Sequence, residues 1–244
     1  MRKITLFVII AAMLCSSFLF TSCASAAAKD LETIKEKGVI RIGMECDYAP
    51  FNWTQTEASD FTAPITSGGY ADGYDIQIAK MVAEGLGVRL EIVKTAWDGL
   101  IPALTSGEID AVIAGMSPTA ERKATIDFTD NYYKSELVVV VLKNSAFASA
   151  ASIKDFSGAK ITGQLSTFHY SVIDQMTGAI KQTALESFPA MIAALQAKSI
   201  DGYISELPGA VSAAAANSDI TYVEFAENSG FVTSDDDVAV AVGI

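Results

Sequence analysis

The sequence is poor in cysteine, histidine and positive charge. It has three cysteines and one histidine in 244 residues, and 29 acidic side chains outnumber 17 basic ones, for a formal net charge of −12. Protein zinc sites need several cysteine or histidine ligands at defined spacing, so we expect no metal site of that kind. Binding to nucleic acid or to an anionic membrane surface needs clustered lysine and arginine, and the acidic balance argues against both.

The N-terminal segment has the pattern of an export signal. Two basic residues precede an apolar run that continues to about Phe20, and no acidic residue occurs before Asp30. A positively charged start, an apolar stretch and small residues at its exit are typical of a secretory signal peptide. The run is marginal in length for a membrane-spanning helix, so a retained anchor is the less favoured alternative.

The residues after this run, Phe20-Thr21-Ser22-Cys23, resemble a bacterial lipobox, in which the cysteine is lipidated and becomes the mature N-terminus. We therefore predict a signal peptide over residues 1–22 and a lipid anchor on Cys23, which makes the protein a cell-surface lipoprotein. Ala24-Ser25-Ala26 is a rival cleavage site that leaves a soluble periplasmic form open. Cys46 then has no partner, and we expect no disulfide framework despite export.

The remaining chain alternates predicted strands and helices. In the first half, strands are predicted at 39–43, 89–93 and 111–114, and helices at 76–86, capped by Asp75, and at 100–106. In the second half, strands are predicted at 161–162, 202–204 and 220–225, and helices from about Thr167, at 189–197 and at 208–216. This order indicates parallel strands connected by helical crossovers, the α/β class.

Two similar lobes are predicted from a recurring segment. An Ala-Leu pair followed by Ile-Asp at the same spacing occurs in 103–110 and again in 194–201. We predict lobe 1 at 23–135, lobe 2 at 136–235 and a return strand to lobe 1 at 236–244. The apolar run 137–142 suits a buried strand crossing between the lobes, and 54–73 reads as a long loop or hairpin. Ligands bind beyond the carboxyl ends of strands in such sheets, so two facing lobes form a cleft.

Side chains suited to a small zwitterion follow several strand ends. Ser117, as a helix cap, and Arg122 together offer N–H groups and a planar fork for a carboxylate, while Glu206 suits an ammonium group. Tyr48 and Trp97 can sandwich a side chain between their rings. The plainer alternatives are an ordinary helix cap with a solvated arginine, a surface glutamate and aromatic residues that fill the core.

Other chemistries have little support in the sequence. The single histidine, His169, could join a serine and an aspartate in a catalytic triad, but no nucleophile-elbow motif is present. Asp235-Asp236-Asp237 lacks the remaining ligands of a calcium loop and reads as a solvated turn. There is no glycine-rich phosphate loop, so no catalytic residue or cofactor is predicted.

Several motifs in order resemble the polar amino-acid family of extracellular solute-binding proteins that feed ABC importers, over the chain from about Leu31 to its end. The motifs are Val39-Ile40-Arg41-Ile42-Gly43, Tyr48-Ala49-Pro50-Phe51, Gly73-Tyr74-Asp75-Ile76, Trp97-Asp98-Gly99-Leu100, Ala114-Gly115-Met116-Ser117 with Glu121-Arg122, and Asp127-Phe128-Thr129 with Tyr132-Tyr133. The resemblance implies a two-lobed, periplasmic-binding-protein-like fold of type II, each lobe a mainly parallel sheet flanked by helices, with the ligand in the interlobe cleft. It also implies a monomeric, non-enzymatic protein that delivers an L-amino acid to a membrane permease.

The resemblance also implies roles for single residues. Arg122 corresponds to the arginine that holds the α-carboxylate, assisted by N–H groups of Ser117 and Thr167. The Gly115 carbonyl, the Ser117 hydroxyl and Glu206 correspond to the α-ammonium cage, although many relatives have aspartate where Glu206 stands. The implied ligand-binding set is Glu45, Tyr48, Trp97, Gly115, Met116, Ser117, Arg122, Ser166, Thr167 and Glu206.

The identity of the amino acid is predicted from one position. Glu45 corresponds to an acidic residue that meets the distal charge of the ligand in binders of basic amino acids. We therefore expect arginine or another cationic amino acid, with glutamine or a wider polar range left open. Tyr48 and Trp97 correspond to positions that flank the ligand side chain.

Two other functions remain open at this stage. One is an exported enzyme on the same fold, such as a dehydratase acting on a cyclohexadienyl acid, and the other is a sensor domain. The chain stops in the apolar run 238–244, whereas relatives continue with a basic residue and a further helix. We therefore expect these 244 residues to be a truncated product or a fragment.

Overall fold

The computed structural model describes residues 26–244, with side chains from Leu31 onward. The predicted signal peptide cleavage site and Cys23 lie outside the described residues. Helix α1 (Ala26–Lys37) belongs to an N-terminal unit that ends at Gly38, and Val39–Ile244 form a second compact unit. Among residues 26–244, no helix combines the length and the apolar character needed to cross a membrane.

Lobe 1 is built on a three-stranded parallel sheet with the order β6-β1-β7. The strands are β1 (Val39–Met44), β6 (Arg89–Lys94) and β7 (Ala111–Val112), and the helices are α2 (Tyr74–Leu86), a 3₁₀ turn at Trp97–Gly99, α3 (Leu100–Ser106) and α4 (Ala120–Lys123). Strand β1 is central because Ile40, Ile42 and Met44 are buried in the core. Both strand neighbours of β1 are parallel to it, as the alternation of strands and helices predicted.

The segment after β1 forms a separate antiparallel sheet with the order β2-β3-β5-β4. Its strands are β2 (Asp47–Tyr48), β3 (Asn52–Gln55), β4 (Ala63–Pro64) and β5 (Tyr70–Asp72). Of the two alternatives for 54–73, the hairpin is the one the structure shows. This small sheet holds Tyr48 close to the carboxyl end of strand β1.

Lobe 2 has a five-stranded mixed sheet with the order β11-β10-β12-β9-β13. The strands are β9 (Leu137–Leu142), β10 (Lys160–Thr162), β11 (Ile180–Lys181), β12 (Gly202–Glu206) and β13 (Ile220–Val223). The helices are α5 (Phe168–Ser171), α6 (Phe188–Gln196) and α7 (Leu207–Ala216), with 3₁₀ turns at Ile153–Phe156 and Val172–Gln175. Strand β9 is fully embedded and runs antiparallel to β12 and β13, because it arrives from lobe 1 rather than through a helical crossover.

The C-terminal residues pair with lobe 1. Strand β14 (Ala239–Val240) is antiparallel to β8 (Tyr133–Lys134), and Gly243 bridges both Val112 and Phe128. The described chain from Val238 to Val242 is buried. These residues are therefore part of the core and do not form a solvated tail.

Two capping predictions were wrong. Helix α2 begins after Gly73, and Asp75 is buried within its first turn, where it accepts hydrogen bonds from Asn52 and Tyr132. Helix α4 is capped by Thr119, whose hydroxyl accepts from the Arg122 N–H, rather than by Ser117. In both cases the residue predicted as a cap is instead buried by the tertiary structure, which the local sequence does not reveal.

Candidate functional site

Arg122 is the buried cation of the cleft. Its Nη1 donates to the Ser117 carbonyl at 2.9 Å, its Nη2 donates to the Ser166 carbonyl of lobe 2 at 3.4 Å, and the guanidinium lies 5.0 Å from the centre of the Trp97 ring. Burial lowers the pKa of Arg122 to about 10, and nearby carboxylates only partly oppose this. Within the described residues, no carboxylate lies at ion-pair distance from it. A buried guanidinium held by carbonyl oxygens alone is an incomplete site for a carboxylate.

Glu206 is the buried anion of the cleft, at the carboxyl end of β12. The Tyr48 hydroxyl donates to its Oε2, and His169 Nε2 lies 3.2 Å from its Oε1. Burial by itself would raise the pKa of Glu206, but the contacts with His169 and Tyr48 outweigh burial and hold the pKa below its ordinary value. The carboxylate is therefore kept charged in a buried place.

Tyr48 joins the two lobes. Its ring stacks on Phe188 at the start of α6, with ring centres 4.1 Å apart, while its hydroxyl reaches Glu206. Burial and the neighbouring Glu206 raise the pKa of this hydroxyl well above its ordinary value, so Tyr48 donates as a neutral phenol. Tyr48 is thus both a core residue and a cleft residue, which the sequence presented as alternatives.

Arg122 and Glu206 line the same cavity. The residues around it are Tyr48, Trp97, Gly115, Ser117, Arg122, Gln164, Thr167, Phe168, His169 and Glu206. The room left for the centre of a water-sized molecule is about 10 Å³, which is close to the space of one water. An amino acid can enter only if the facing side chains separate, as hinge opening of two lobes would allow.

Position 115 on the wall of this cavity requires glycine because of its backbone conformation and its close neighbours. Its φ is +62°, and a Cβ there would lie 2.9 Å from a ring carbon of Tyr48. Glycine alone satisfies both conditions without strain. The Gly115 backbone thus lies directly against the Tyr48 ring on the wall of the cavity.

Glu45 marks a second, distal end of the cleft. It follows β1, is 4% exposed, and both its carboxylate oxygens accept from Gln164 Nε2, at 3.0 and 3.1 Å. Gln164 also donates to the Glu186 carbonyl at 3.1 Å. Burial raises the pKa of Glu45 to about 7, and the Gln164 hydrogen bonds only partly oppose this.

An acidic cavity of about 350 Å³ adjoins Glu45. Trp97 lines this cavity and also the small one, so the two are neighbours along the cleft. The charged residues of its wall are Glu45, Asp47, Lys94, Asp98 and Glu186. With four carboxylates against one lysine, the distal end favours a positively charged group.

The structure therefore brings most of the predicted residues to one place. Two of them have other positions: Met116 is buried beneath the cleft and its carbonyl accepts from Ala241, while Ser166 is exposed and presents its carbonyl to Arg122 and Trp97. Thr167 lines the cavity, and its hydroxyl donates to the Gln164 carbonyl. Met116 and Ser166 thus support the cavity without lining it.

Gln164 and His169 are cavity residues that the sequence reasoning did not place in the site. Gln164 precedes α5, close to Thr167, and His169 lies within the first turn of α5. A signal was present, because the segment from Gln164 to His169 follows a strand and opens a helix, the position at which α/β sheets bind ligands. His169 had been weighed only as a zinc ligand or a triad member.

Curated proteins similar in sequence to this chain are named as amino-acid-binding proteins. The chain is 32% identical over 151 residues to the arginine-binding extracellular protein ArtP of Bacillus subtilis, covering 62% of this chain and 52% of that protein. It is 32% identical over 167 residues to a probable histidine-binding protein of Campylobacter jejuni, covering 68% of this chain and 59% of that protein. The chain thus spans between half and three-fifths of the length of these two relatives.

Solved structures show the same fold. An amino acid ABC transporter substrate-binding protein from Streptococcus pneumoniae, bound to L-arginine, superposes with a TM-score of 0.76 at 29% identity, over 88% of this chain and 84% of that one. Residues 40–183, more than half of the chain, match the sequence profile of a single family. The predicted two-lobed fold of type II is confirmed, and the chain belongs to the bacterial extracellular solute-binding proteins, family 3.

Proposed function

We propose that this protein is the substrate-binding component of an amino-acid ABC importer and that it binds a free L-amino acid between its lobes. The observation that carries the proposal is the pair of buried opposite charges, Arg122 and Glu206, on the wall of one cavity. An α-amino acid carries a carboxylate and an ammonium group on the same carbon. It is the small ligand that satisfies both charges at once.

Each charge suits one end of the zwitterion. The Arg122 fork can pair with the α-carboxylate in a bidentate manner, with the Ser117 and Thr167 N–H groups as further donors. Glu206 can accept the α-ammonium in place of the Tyr48 hydroxyl that it now binds, together with the Gly115 carbonyl and the Ser117 hydroxyl. Contacts that now close the cavity, such as the one between Tyr48 and Glu206, are thus replaced by contacts with the ligand.

We propose a cationic amino acid, arginine first, as the ligand. A long ligand side chain that passes Trp97 would extend from the small cavity into the acidic one. There Glu45 is buried, and its raised pKa of about 7 leaves part of the population uncharged at neutral pH. A guanidinium there would restore the charge of Glu45 and take over the donor role of Gln164. Glutamine and other polar amino acids are the alternative, since Gln164 can rotate to meet a neutral amide.

The ligand acts by bridging the lobes. Arg122 is on lobe 1 and Glu206 on lobe 2, so an amino acid held by both favours the closed arrangement. We propose that the closed, monomeric complex then docks on a membrane permease, without chemical change of the ligand. Export through residues 1–22 and a lipid on Cys23 complete the proposal, with a soluble periplasmic form as the alternative.

Calorimetry on the purified chain tests the function. The protein is unfolded, dialysed and refolded to remove bound ligand, and titrated with L-arginine, L-lysine, L-histidine, L-glutamine and L-cystine. We expect one site per chain, tightest for L-arginine, and NMR of the incubated ligand should show it unchanged. If none of the five binds and none raises the melting temperature, the proposed function is wrong; conversion of a ligand would indicate an enzyme instead.

A further inference from the structure

The only histidine of the chain is buried at the ammonium end of the cavity. The His169 side chain is 6% exposed and packs against the rings of Phe168 and Phe188, with centres 4.5 and 6.3 Å away. Its Nδ1 has no hydrogen-bond partner among residues 26–244. A buried polar atom without a partner is unusual in a folded protein and calls for an explanation.

The position of the imidazole is fixed by the backbone. A Cβ on Gly163 would lie 2.8 Å from the His169 carbonyl carbon, so the two segments touch and the start of α5 cannot shift freely. His169 Nε2 lies 3.2 Å from Glu206 Oε1, at ion-pair distance, although its N–H direction misses hydrogen-bond geometry. His169 therefore contacts the carboxylate that the proposed function assigns to the ligand ammonium.

The charges around the imidazole decide what its protonation does. Glu206 faces it from β12, the Tyr48 phenol faces Glu206 from β2, and Arg122 lines the same cavity from α4. A protonated His169 neutralises Glu206 and adds positive charge beside Arg122. A bound ammonium group would then face two cations and a carboxylate already paired, which is unfavourable in a buried site.

We propose that His169 is a positioning residue that couples ligand binding to proton release, so that an α-ammonium on Glu206 requires a neutral imidazole. This inference rests on the proposed function. It follows that affinity falls as the pH is lowered through the titration of His169, because the free protein binds one more proton than the complex. Acidification outside the cell would then favour release of the amino acid.

Because the chain has one histidine, NMR of the wild-type protein tests this without a substitution. We expect a larger protonated fraction of the imidazole, read from its resonances, in free protein than in protein saturated with L-arginine at the same pH. Calorimetry between pH 7.5 and 5.5, in buffers of different ionisation enthalpy, should show a proton released on binding and an affinity about tenfold lower at pH 5.5. Equal titration in the free and saturated protein overturns the inference.

Variants separate His169 from Glu45, the carboxyl of the cleft whose pKa burial raises to about 7. In the Glu45→Gln background, where the distal carboxyl no longer contributes, His169→Gln keeps an N–H donor but cannot ionise, so the remaining pH dependence and proton release should disappear. Glu45→Gln alone should keep the part of both effects that comes from His169, and Ser171→Ala, a control on the same helix with an exposed side chain, should keep all of it. Proton release that persists in His169→Gln and vanishes in Glu45→Gln overturns the inference, whereas absence of binding by wild-type protein at pH 7.5 overturns the proposed function as well.

Discussion

The two ends of the cleft differ in charge balance and in space. At the near end, Arg122 and Glu206 supply opposite buried charges around room for about one water. At the distal end, Glu45 and three further carboxylates line about 350 Å³ with Lys94 as the one cation of that wall. The near end is thus shaped for a group common to all amino acids, and the distal end for a variable one.

Because of this difference, the near end selects amino acids as a class of ligand, and the distal end determines which amino acid binds best. A tight site with both charges present rejects any ligand that lacks one of them, because the unmatched charge stays buried and unpaired. A wider site of one sign ranks ligands by charge and tolerates differences in size. Substitutions at the near end should therefore affect all amino acids equally, and those at the distal end should change their ranking.

The largest effect is expected from Arg122→Ala. Removing one partner of a buried charged contact costs roughly 2–5 kcal/mol, so affinity for L-arginine and for L-glutamine should fall together by about 30-fold to several thousandfold. Isothermal titration calorimetry on both ligands measures this. Arg89→Ala is the matched control, since Arg89 is exposed and pairs with Glu91 on the same strand. Native affinity in Arg122→Ala would remove the near end from the site.

The next effect is expected from Glu45→Gln and should depend on the ligand. A hydrogen bond to a charged group contributes about 1.5–3 kcal/mol, so affinity for L-arginine should fall by about tenfold to a hundredfold. Affinity for L-glutamine should change little or rise, because binding of its neutral side-chain amide does not depend on the charge of residue 45. Competition calorimetry with the two ligands gives the ratio directly. An equal loss for both would contradict the division between the two ends.

The fold was largely predictable because its strands carry their pattern locally. The buried alternation of β1 and the unbroken apolar run of β9 each predict a strand without tertiary information. Asp75 shows the limit of this reasoning. An aspartate before an apolar helix face is typical of a cap, but the Asp75 carboxylate instead accepts from Asn52 and Tyr132, and the helix starts after Gly73.

The near end of the site could be anticipated more fully than the distal end. Residues at or after the ends of parallel strands collect at the carboxyl edge of their own sheet, so Arg122 in lobe 1 and Glu206 in lobe 2 could each be expected at an edge that faces the cleft. Gln164 and His169 acquire meaning only through partners distant in sequence, Glu45 and Glu206. No local pattern encodes such a pairing, and this is why both were missed.

A third effect concerns stability in the absence of ligand. Burial raises the pKa of Glu45 from its ordinary value of 4.5 to about 7, so the folded state binds more protons than the unfolded state between these values. The contribution of Glu45 to stability is therefore present at low pH and is lost as the pH rises from about 4.5 to 7. Asp75, whose pKa burial raises to about 6, acts in the same direction from its ordinary value of 3.8.

Thermal unfolding of the free protein and of Glu45→Gln at a series of pH values checks this. The wild-type melting temperature should fall more steeply than that of the variant between pH 4.5 and 7, by about 2–4 °C for each kcal/mol of the Glu45 contribution. Saturation with L-arginine should reverse the trend, since a guanidinium at the distal end favours the charged carboxylate. Parallel curves for the two proteins would show that Glu45 is already ionised and solvated at low pH.

The smallest effect is expected from Lys94→Gln, which removes the cation from the distal wall. Lys94 pairs with Asp47 at 3.1 Å and both side chains are over a third exposed, so the exchange should be worth only about 0.2–1 kcal/mol. Affinity for L-arginine should rise by a few-fold at low salt, and this gain should shrink at high salt because exposed charges are screened. Affinity for L-glutamine should stay constant at both salt concentrations. Since the substitution adds one net negative charge at the distal end alone, a gain for both ligands would mean that the two ends share one electrostatic field.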